Sequence, residues 1–244
     1  MAIGTLKVKS APKTSSQYFT NRERNLLSLT HELSGPLTAA RINLERYRSN
    51  NSLASLKMLD SNLRLMEDYL TTARDQIKYR SAPSKAFSVN SQLKDIIKTL
   101  STQASERSIK IKFNTLNDCH LNGNSTSFKQ IISCAIRNAI DSYEGNNSLD
   151  KPINITHYYT AKYLIVSVED YGKGIAPENI AKIFKPFFST KKSTSGLGLG
   201  LSLAAESIAQ DFNGFVKLNS VRLRGTNIRL YFNLPENMQE KIVP

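Results

Sequence analysis

The chain has little cysteine, no long apolar run and no apolar leader, and each lack removes a class of protein. Two cysteines, Cys119 and Cys134, in 244 residues cannot build a disulfide framework or, on their own, a metal cluster, and they point to a reducing compartment. The longest strongly apolar stretch, Tyr163 to Val168, is the size of a strand, whereas a membrane span needs roughly 20 residues. Residues 1–20 are basic but hold no apolar core segment, so no signal peptide is visible. There are no internal repeats. No zinc finger, recognition helix or aromatic-studded basic stretch is present, so nucleic acid is not the expected partner.

Basic charge, in contrast, is plentiful: 33 Lys and Arg stand against 20 Asp and Glu, a net charge of +13. Such an excess favours an anionic partner. It is dispersed. Residues 1–85 carry 14 basic and 7 acidic residues, net +7, and residues 86–244 carry 19 and 13, net +6. A spread of this kind argues against a detachable basic arm. The 40% hydrophobic content is too high for a disordered chain, and the length suits one large domain or two small ones.

Residues 1–20, rich in Lys, Ser and Thr and without a period, read as a tail or truncated linker. Leu26, Thr30, Leu33, Leu37, Ala40, Leu44 and Tyr47 then alternate in steps of four and three, a helical seam. Ser49 to Ser52 offers a turn and a new N-cap, and Leu56, Leu59, Leu63, Met66, Leu70, Ala73 and Ile77 form a second seam. The spacing predicts an antiparallel helical hairpin over 21–80. One hairpin cannot bury both stripes. Two of them packed as a dimeric four-helix bundle would, as would packing onto the rest of the same chain.

Residues 81–85, with Pro83, read as a linker, and 236–244 as a C-terminal tail. Between them, 86–235 alternate in type. Strands are expected at 87–89, 109–113, 153–159, 163–169, 215–219 and 227–232. Helices are expected at 92–106, through Phe128, Ile131, Ile132, Ala135 and Ala139, and at 199–212. The fold class is α+β, with helices layered on one face of a sheet. Residues 176–195 form a loop long enough to act as a lid, anchored by Ile183, Phe184, Phe187 and Phe188.

Four short stretches hold residues suited to chemistry. His31-Glu32 lies on the first helix, followed by Pro36, which is expected to kink it. An imidazole whose ring proton is held by a carboxylate can attack through its other nitrogen; an exposed His beside Glu is also ordinary helix surface. Asn138 sits beside the buried stripe of its helix, where its amide oxygen suits a hard cation such as Mg²⁺ or simply faces water. Asp170-Tyr171-Gly172-Lys173-Gly174 follows an apolar strand. A carboxylate there can accept from an exocyclic amine, and the same five residues could be a plain loop. Gly196, Gly198 and Gly200 alternate with leucines at a helix start, a pattern that aims N–H groups at phosphate, and Lys191 and Lys192 precede them. The spacing matches neither the Walker nor the dinucleotide fingerprint.

In this order the stretches resemble the sensor histidine kinases of two-component signalling. Counterparts of the histidine box, asparagine box, first glycine box, phenylalanine box and second glycine box are all present over about residues 21–235. The resemblance implies a dimerisation and histidine-phosphotransfer hairpin, then an α/β sandwich with a mixed sheet that binds ATP, of the type shared with gyrase and heat-shock chaperone ATPases. It implies that His31 is phosphorylated with Glu32 as its orienting base, and that Asn138 binds Mg²⁺. Asp170 would accept from adenine in a pocket shaped by Gly172 and Gly174. Gly196, Gly198 and Gly200 would hold phosphates under a lid with Lys191 and Lys192. The implied partners are a second copy of the chain through residues 21–80 and the receiver domain of a response regulator. The implied location is cytoplasmic, with any membrane sensor portion lying outside this chain. A catalytically weak phosphotransfer or scaffold module is the alternative. Two departures stand out. Cys134 occupies the place where the asparagine box opens with Asn, removing one polar contact near the metal. Gly35 occupies a place where the family has Thr, Asn or Gln, which implies weak phosphatase activity.

Overall fold

The computed structural model describes residues 21–80, 84–114, 118–145, 150–185, 188–190 and 198–234. They form two compact units, a helical hairpin and an α/β unit.

The hairpin consists of α1 (Asn21–Asn50) and α2 (Leu53–Arg80). α1 runs unbroken through Pro36. Nearby, the Thr38 hydroxyl donates to the Ser34 carbonyl at 2.8 Å. The reversal is tight: Asn51 takes a left-handed φ of 53°, and its N–H donates to the Tyr47 carbonyl at 2.7 Å. The Ser52 hydroxyl then accepts from the Ser55 N–H and caps α2. Ala40, Asn43 and Ser55 are buried where the two helices meet. The rest of the seam divides. Leu37, Leu56, Leu63 and Leu70 remain 57%, 39%, 48% and 57% exposed, so the apolar stripes extend beyond what one hairpin covers.

The α/β unit begins with β1 (Lys85–Ser88), α3 (Val89–Glu106), β2 (Lys110–Asn114), β3 (His120–Gly123) and α4 (Ser125–Asp141). It continues with β4 (Pro152–Tyr159), β5 (Tyr163–Asp170), α5 (Pro177–Ile180), α6 (Gly200–Phe212), β6 (Phe215–Val221) and β7 (Gly225–Asn233). Five strands form one sheet in the order β2-β4-β5-β7-β6, with β2 parallel to β4 and every other pair antiparallel. The sheet is therefore mixed. β1 and β3 pair antiparallel as a separate ribbon. α4 packs between α3 and α6 and against β5.

Helix α4 is central because its buried stripe is nearly continuous. Phe128, Ile131, Ile132, Ala135, Ile136, Ala139 and Ile140 recur at helical spacing and are all at most 3% exposed. The Phe128 ring lies 5.3 Å from Phe87, 4.9 Å from Phe232 and 6.4 Å from Phe212, joining ribbon, sheet and α6 in one core. The side-chain oxygen of Asn124 accepts from the N–H groups of Thr126 and Ser127 and starts the helix. From β4, Ile153, Ile155 and His157 point into the same core. His157 Nε2 lies 2.7 Å from Asn90 Oδ1.

Two elements were not foreseen. Strand β3 is only four residues long and pairs with β1 alone. The expected lid begins with α5 and a run of turns, whose Ile180 and Ile183 are buried at 7% and 8% exposure. Its first third is thus packed structure.

Candidate functional site

The C-terminal half of α4 carries the polar side of the site. Cys134 and Asn138 are one turn apart, both half-buried, and Asn138 Nδ2 donates to Cys134 Sγ at 3.6 Å. The sulfur faces the start of α6: a Cβ added at Gly200 would lie 3.0 Å from it. A side chain here would need the Cys134 sulfur to give way, so glycine suits the close start of α6 against α4. Leu199, at the N-cap, makes no side-chain capping bond. The first N–H groups of a helix have no partner within it, and they carry the positive end of the helix dipole. Gly198, just before, has a φ of 66°, a left-handed turn that favours glycine. The structure thus brings Asn138, Cys134 and Gly200 together.

One turn further on, the Ser142 N–H donates to the Asn138 carbonyl at 3.0 Å, and the base-side residues begin. Asp170 is the last residue of β5 and 6% exposed. Its Oδ1 accepts from the Ser142 hydroxyl at 2.8 Å and from the Gly172 N–H at 2.9 Å. Burial pushes the Asp170 carboxyl above the usual carboxylate range. The donors Gly172, Ser142 and the Thr226 backbone N–H oppose the shift, and the charge of Glu169 adds to it. Tyr143 closes the turn: its hydroxyl donates to the Pro152 carbonyl and accepts from the Tyr171 N–H at 2.9 Å. Burial pushes its phenol up to about 12.

The glycines of this loop serve close packing. At Gly172 a Cβ would meet Ser142 Oγ at 2.1 Å and the Ser142 carbonyl oxygen at 2.6 Å. Gly174 combines a φ of 59° with a Cβ position 2.2 Å from the Val221 carbonyl oxygen. Across the sheet, Gly225 has a φ of 103°, and its Cβ would meet the Asp170 carbonyl oxygen at 2.0 Å. Sequence reasoning missed Ser142, Tyr143, Gly225 and Thr226. Each reaches Asp170 or its loop through tertiary packing or strand register, and no local motif announces them.

His31 and Glu32 fall in α1, with side chains outside the described set. Gly35 lies in the same helix with open space around its Cβ position. Lys191, Lys192 and Gly196 lie outside the described residues. Among the described residues no group of three or more His, Cys, Asp or Glu could hold a metal, and no helix is long and apolar enough to cross a membrane.

A layer of helices on a mixed sheet, with a buried carboxylate ending one strand and a glycine-led helix facing a cysteine bonded to an asparagine, fits a class of nucleotide-binding fold. Residues 123–236 match the family of histidine kinase-, DNA gyrase B- and HSP90-like ATPases. The resemblance to kinases runs further. Sensor histidine kinase CpxA of Escherichia coli (strain K12) is 27% identical over 230 residues, 88% of this chain and 47% of that protein. Sporulation kinase B of Bacillus subtilis (strain 168) is 24% identical over 209 residues, 83% and 47%. The catalytic domain of histidine kinase ThkA has a TM-score of 0.55 at 26% identity, covering 64% of this chain and 98% of that one. ThkA in complex with response regulator protein TrrA shares the fold at a TM-score of 0.62 and 20% identity, over 89% of this chain and 65% of that one. The chain is similar to sensor histidine kinases, and it spans about half the length of the curated relatives it matches.

Proposed function

We propose that this chain is an ATP-dependent protein-histidine kinase that phosphorylates itself at His31 and passes the phosphoryl group to an aspartate on the receiver domain of a response regulator. The observation that carries the nucleotide half is the α4 stripe. The helix sets Cys134 against the start of α6, with Asn138 bonded to it one turn on, and holds Asp170 through Ser142 at its other end. That arrangement fits a nucleotide with its base at Asp170 and its phosphates at α6. An ionised, buried carboxylate accepts a base amine, and the free N–H groups of α6 receive phosphate oxygens.

The donor set also fits Mg²⁺. Asn138 offers a hard amide oxygen, while the neighbouring Cys134 sulfur suits softer metals, so Mg²⁺ would rest on Asn138, water and phosphate oxygens. Bound there, it would neutralise phosphate charge. Gly196, Gly198 and Gly200 would supply N–H groups to the phosphates, with Lys191 and Lys192 reaching them from the lid. Glu32 would hold one ring proton of His31, freeing the other nitrogen to attack the γ-phosphoryl group. Positioning and charge neutralisation supply most of the catalysis in such transfers.

In this reading residues 21–80 form the dimerisation and phosphotransfer hairpin, and two copies pair as a four-helix bundle. The exposed Leu37, Leu56, Leu63 and Leu70 support the pairing. Residues 86–235 are the ATP-binding domain, 81–85 the linker, and 1–20 and 236–244 tails. The setting is the cytoplasm, where ATP and receivers are found. Gly35 brings no side chain with which to orient a water, so phosphatase activity toward the receiver is weak. Cys134 in place of Asn favours a second reading, a phosphotransfer module with slow autophosphorylation.

Incubation with labelled ATP and Mg²⁺ tests both. The kinase reading requires acid-labile, base-stable label on the chain that His31→Gln abolishes. Asn138→Ala and Asp170→Ala are expected to remove label and nucleotide binding while leaving the dimer intact. Label that persists in His31→Gln moves the phosphorylation site elsewhere. Intact nucleotide binding with no label in the wild type favours the slow module.

A further inference from the structure

The C-terminal turn of α4 grips the Asp170 loop at three points. The Ser142 hydroxyl lies 2.8 Å from Asp170 Oδ1. The Ser142 carbonyl accepts from the Lys173 N–H at 3.0 Å, and the Tyr143 hydroxyl accepts from the Tyr171 N–H at 2.9 Å. An ionised carboxylate has about four acceptor positions. The Gly172 N–H and the Ser142 hydroxyl, both on Oδ1, occupy two of them, and the Thr226 N–H adds a weaker attraction. The remaining acceptor capacity is left for a ligand.

We propose that Ser142 is a positioning residue for nucleotide recognition: its hydroxyl fixes the Asp170 carboxylate as an acceptor, which selects a base presenting an exocyclic amine over one presenting a carbonyl. This rests on the nucleotide reading of Asp170 given above. The serine is placed to follow the charge of its partner. Its oxygen is 2.8 Å from Asp170 Oδ1 and 2.7 Å from the Ala139 carbonyl oxygen, yet it has a single proton to give. An ionised Asp170 is the stronger acceptor and draws that proton. A protonated Asp170 lets it turn to Ala139. Removing the hydroxyl therefore weakens only the ionised form, and the neutral acid that gains ground can itself donate to a base carbonyl. The effect is one of specificity as well as affinity.

The remaining groups near Asp170 are common to wild type and variants. Glu169 contributes a negative charge from β5, Tyr143 and Tyr171 hold phenols whose pKa values are pushed up, and β7 presents the uncharged Thr226. Gly172 holds the serine in place, since any Cβ there would collide with it. The Ser142→Ala change leaves these backbone contacts intact.

The test is equilibrium binding of ATP and of GTP, each with Mg²⁺, to the full chain between about pH 5 and 8. Wild type, Ser142→Ala, Ser142→Thr and Asp170→Asn are compared, with circular dichroism reporting the fold. Ser142→Ala is expected to bind ATP about tenfold more weakly at neutral pH. Its acid limb should move upward by about one pH unit, and its preference for ATP over GTP should narrow. Ser142→Thr, which keeps the hydroxyl, should restore all three. Affinity within about twofold of wild type at every pH overturns the proposal. So does an equal loss for ATP and GTP at every pH, the signature of a merely structural residue. Should Ser142→Ala not fold, Ser142→Cys, whose thiol is a weak donor, gives the same readings. If wild type binds no ATP, or Asp170→Asn binds it as wild type does, the nucleotide reading has failed instead.

Discussion

At Asp170 the fold holds a carboxylate that is 6% exposed, and the donors around it do not fully replace the water it has lost. Its pKa in the folded chain is raised above the unfolded value of about 3.9. The stability linked to this group is therefore fully present below that value and is lost as pH rises through the folded pKa. At neutral pH the empty site is less stable than an uncharged one would be. Asp170→Asn keeps the shape and still accepts from Ser142 and Gly172, so its melting temperature without nucleotide should equal or exceed that of wild type near pH 7. Its ATP affinity should fall at least about a hundredfold, since a donor would face the base amine. Calorimetric scans and binding titrations on the same samples check both. A variant that melts several degrees lower would show that the ionised carboxylate supports the fold.

At the scale of elements, α4 decides where the site is. Its inner stripe packs between α3 and α6, and its outer edge presents Cys134, Asn138 and Ser142 on successive turns. Stability and recognition can be separated along its length. Asn124→Ala removes the N-terminal cap and should cost about 1 kcal/mol, lowering the melting temperature by roughly 2–4 °C. ATP affinity should stay unchanged, because the cap lies more than three turns before Ser142. A loss of affinity matching the loss of stability would tie the two ends of the helix together. Much of this layout was legible in the residues. The stripes of α3, α4 and α6, the alternation in β4 and the apolar run of β5 are local signals, readable within each element alone. β3 was hidden because four residues set no period and its partner β1 lies some thirty residues earlier. α5 was hidden inside a stretch read as lid, where, among the described residues, Ile180 and Ile183 mark burial. Of the site, the aspartate and asparagine were legible by motif. Gly225 and Thr226 were not, because only the pairing of β5 with β7 sets Thr226 across from Asp170.

For the whole molecule, the net charge of +13 and the apolar hairpin face call for different partners. Positive charge in both halves suits triphosphate in one and an acidic receiver surface in the other, and association with a receiver should weaken as salt rises. The hairpin leucines suit a second copy. Leu63 is 48% exposed, so replacing it costs the isolated hairpin little. In a four-helix bundle the same position would be interior. Leu63→Lys should therefore convert a dimer to monomer in sedimentation measurements while ATP affinity is retained. A variant that remains dimeric places the interface on another face.

The sheet has one further consequence, for how the molecule opens. β2 joins the sheet only through its parallel partner β4, and α4 lies within the connection between the two. The neighbouring pairs β4–β5 and β6–β7 are closed by three-residue links and need no such crossover. β2 is thus the strand most readily released, and its release is tied to loosening of α4. A ligand gripping Asn138 and Asp170 would raise the free energy of that opening. Amide hydrogens of Lys110–Asn114 should then exchange more slowly with ATP present, although none of these residues lines the site. Nucleotide occupancy would be legible at the far edge of the sheet, as a change in how often that edge comes undone.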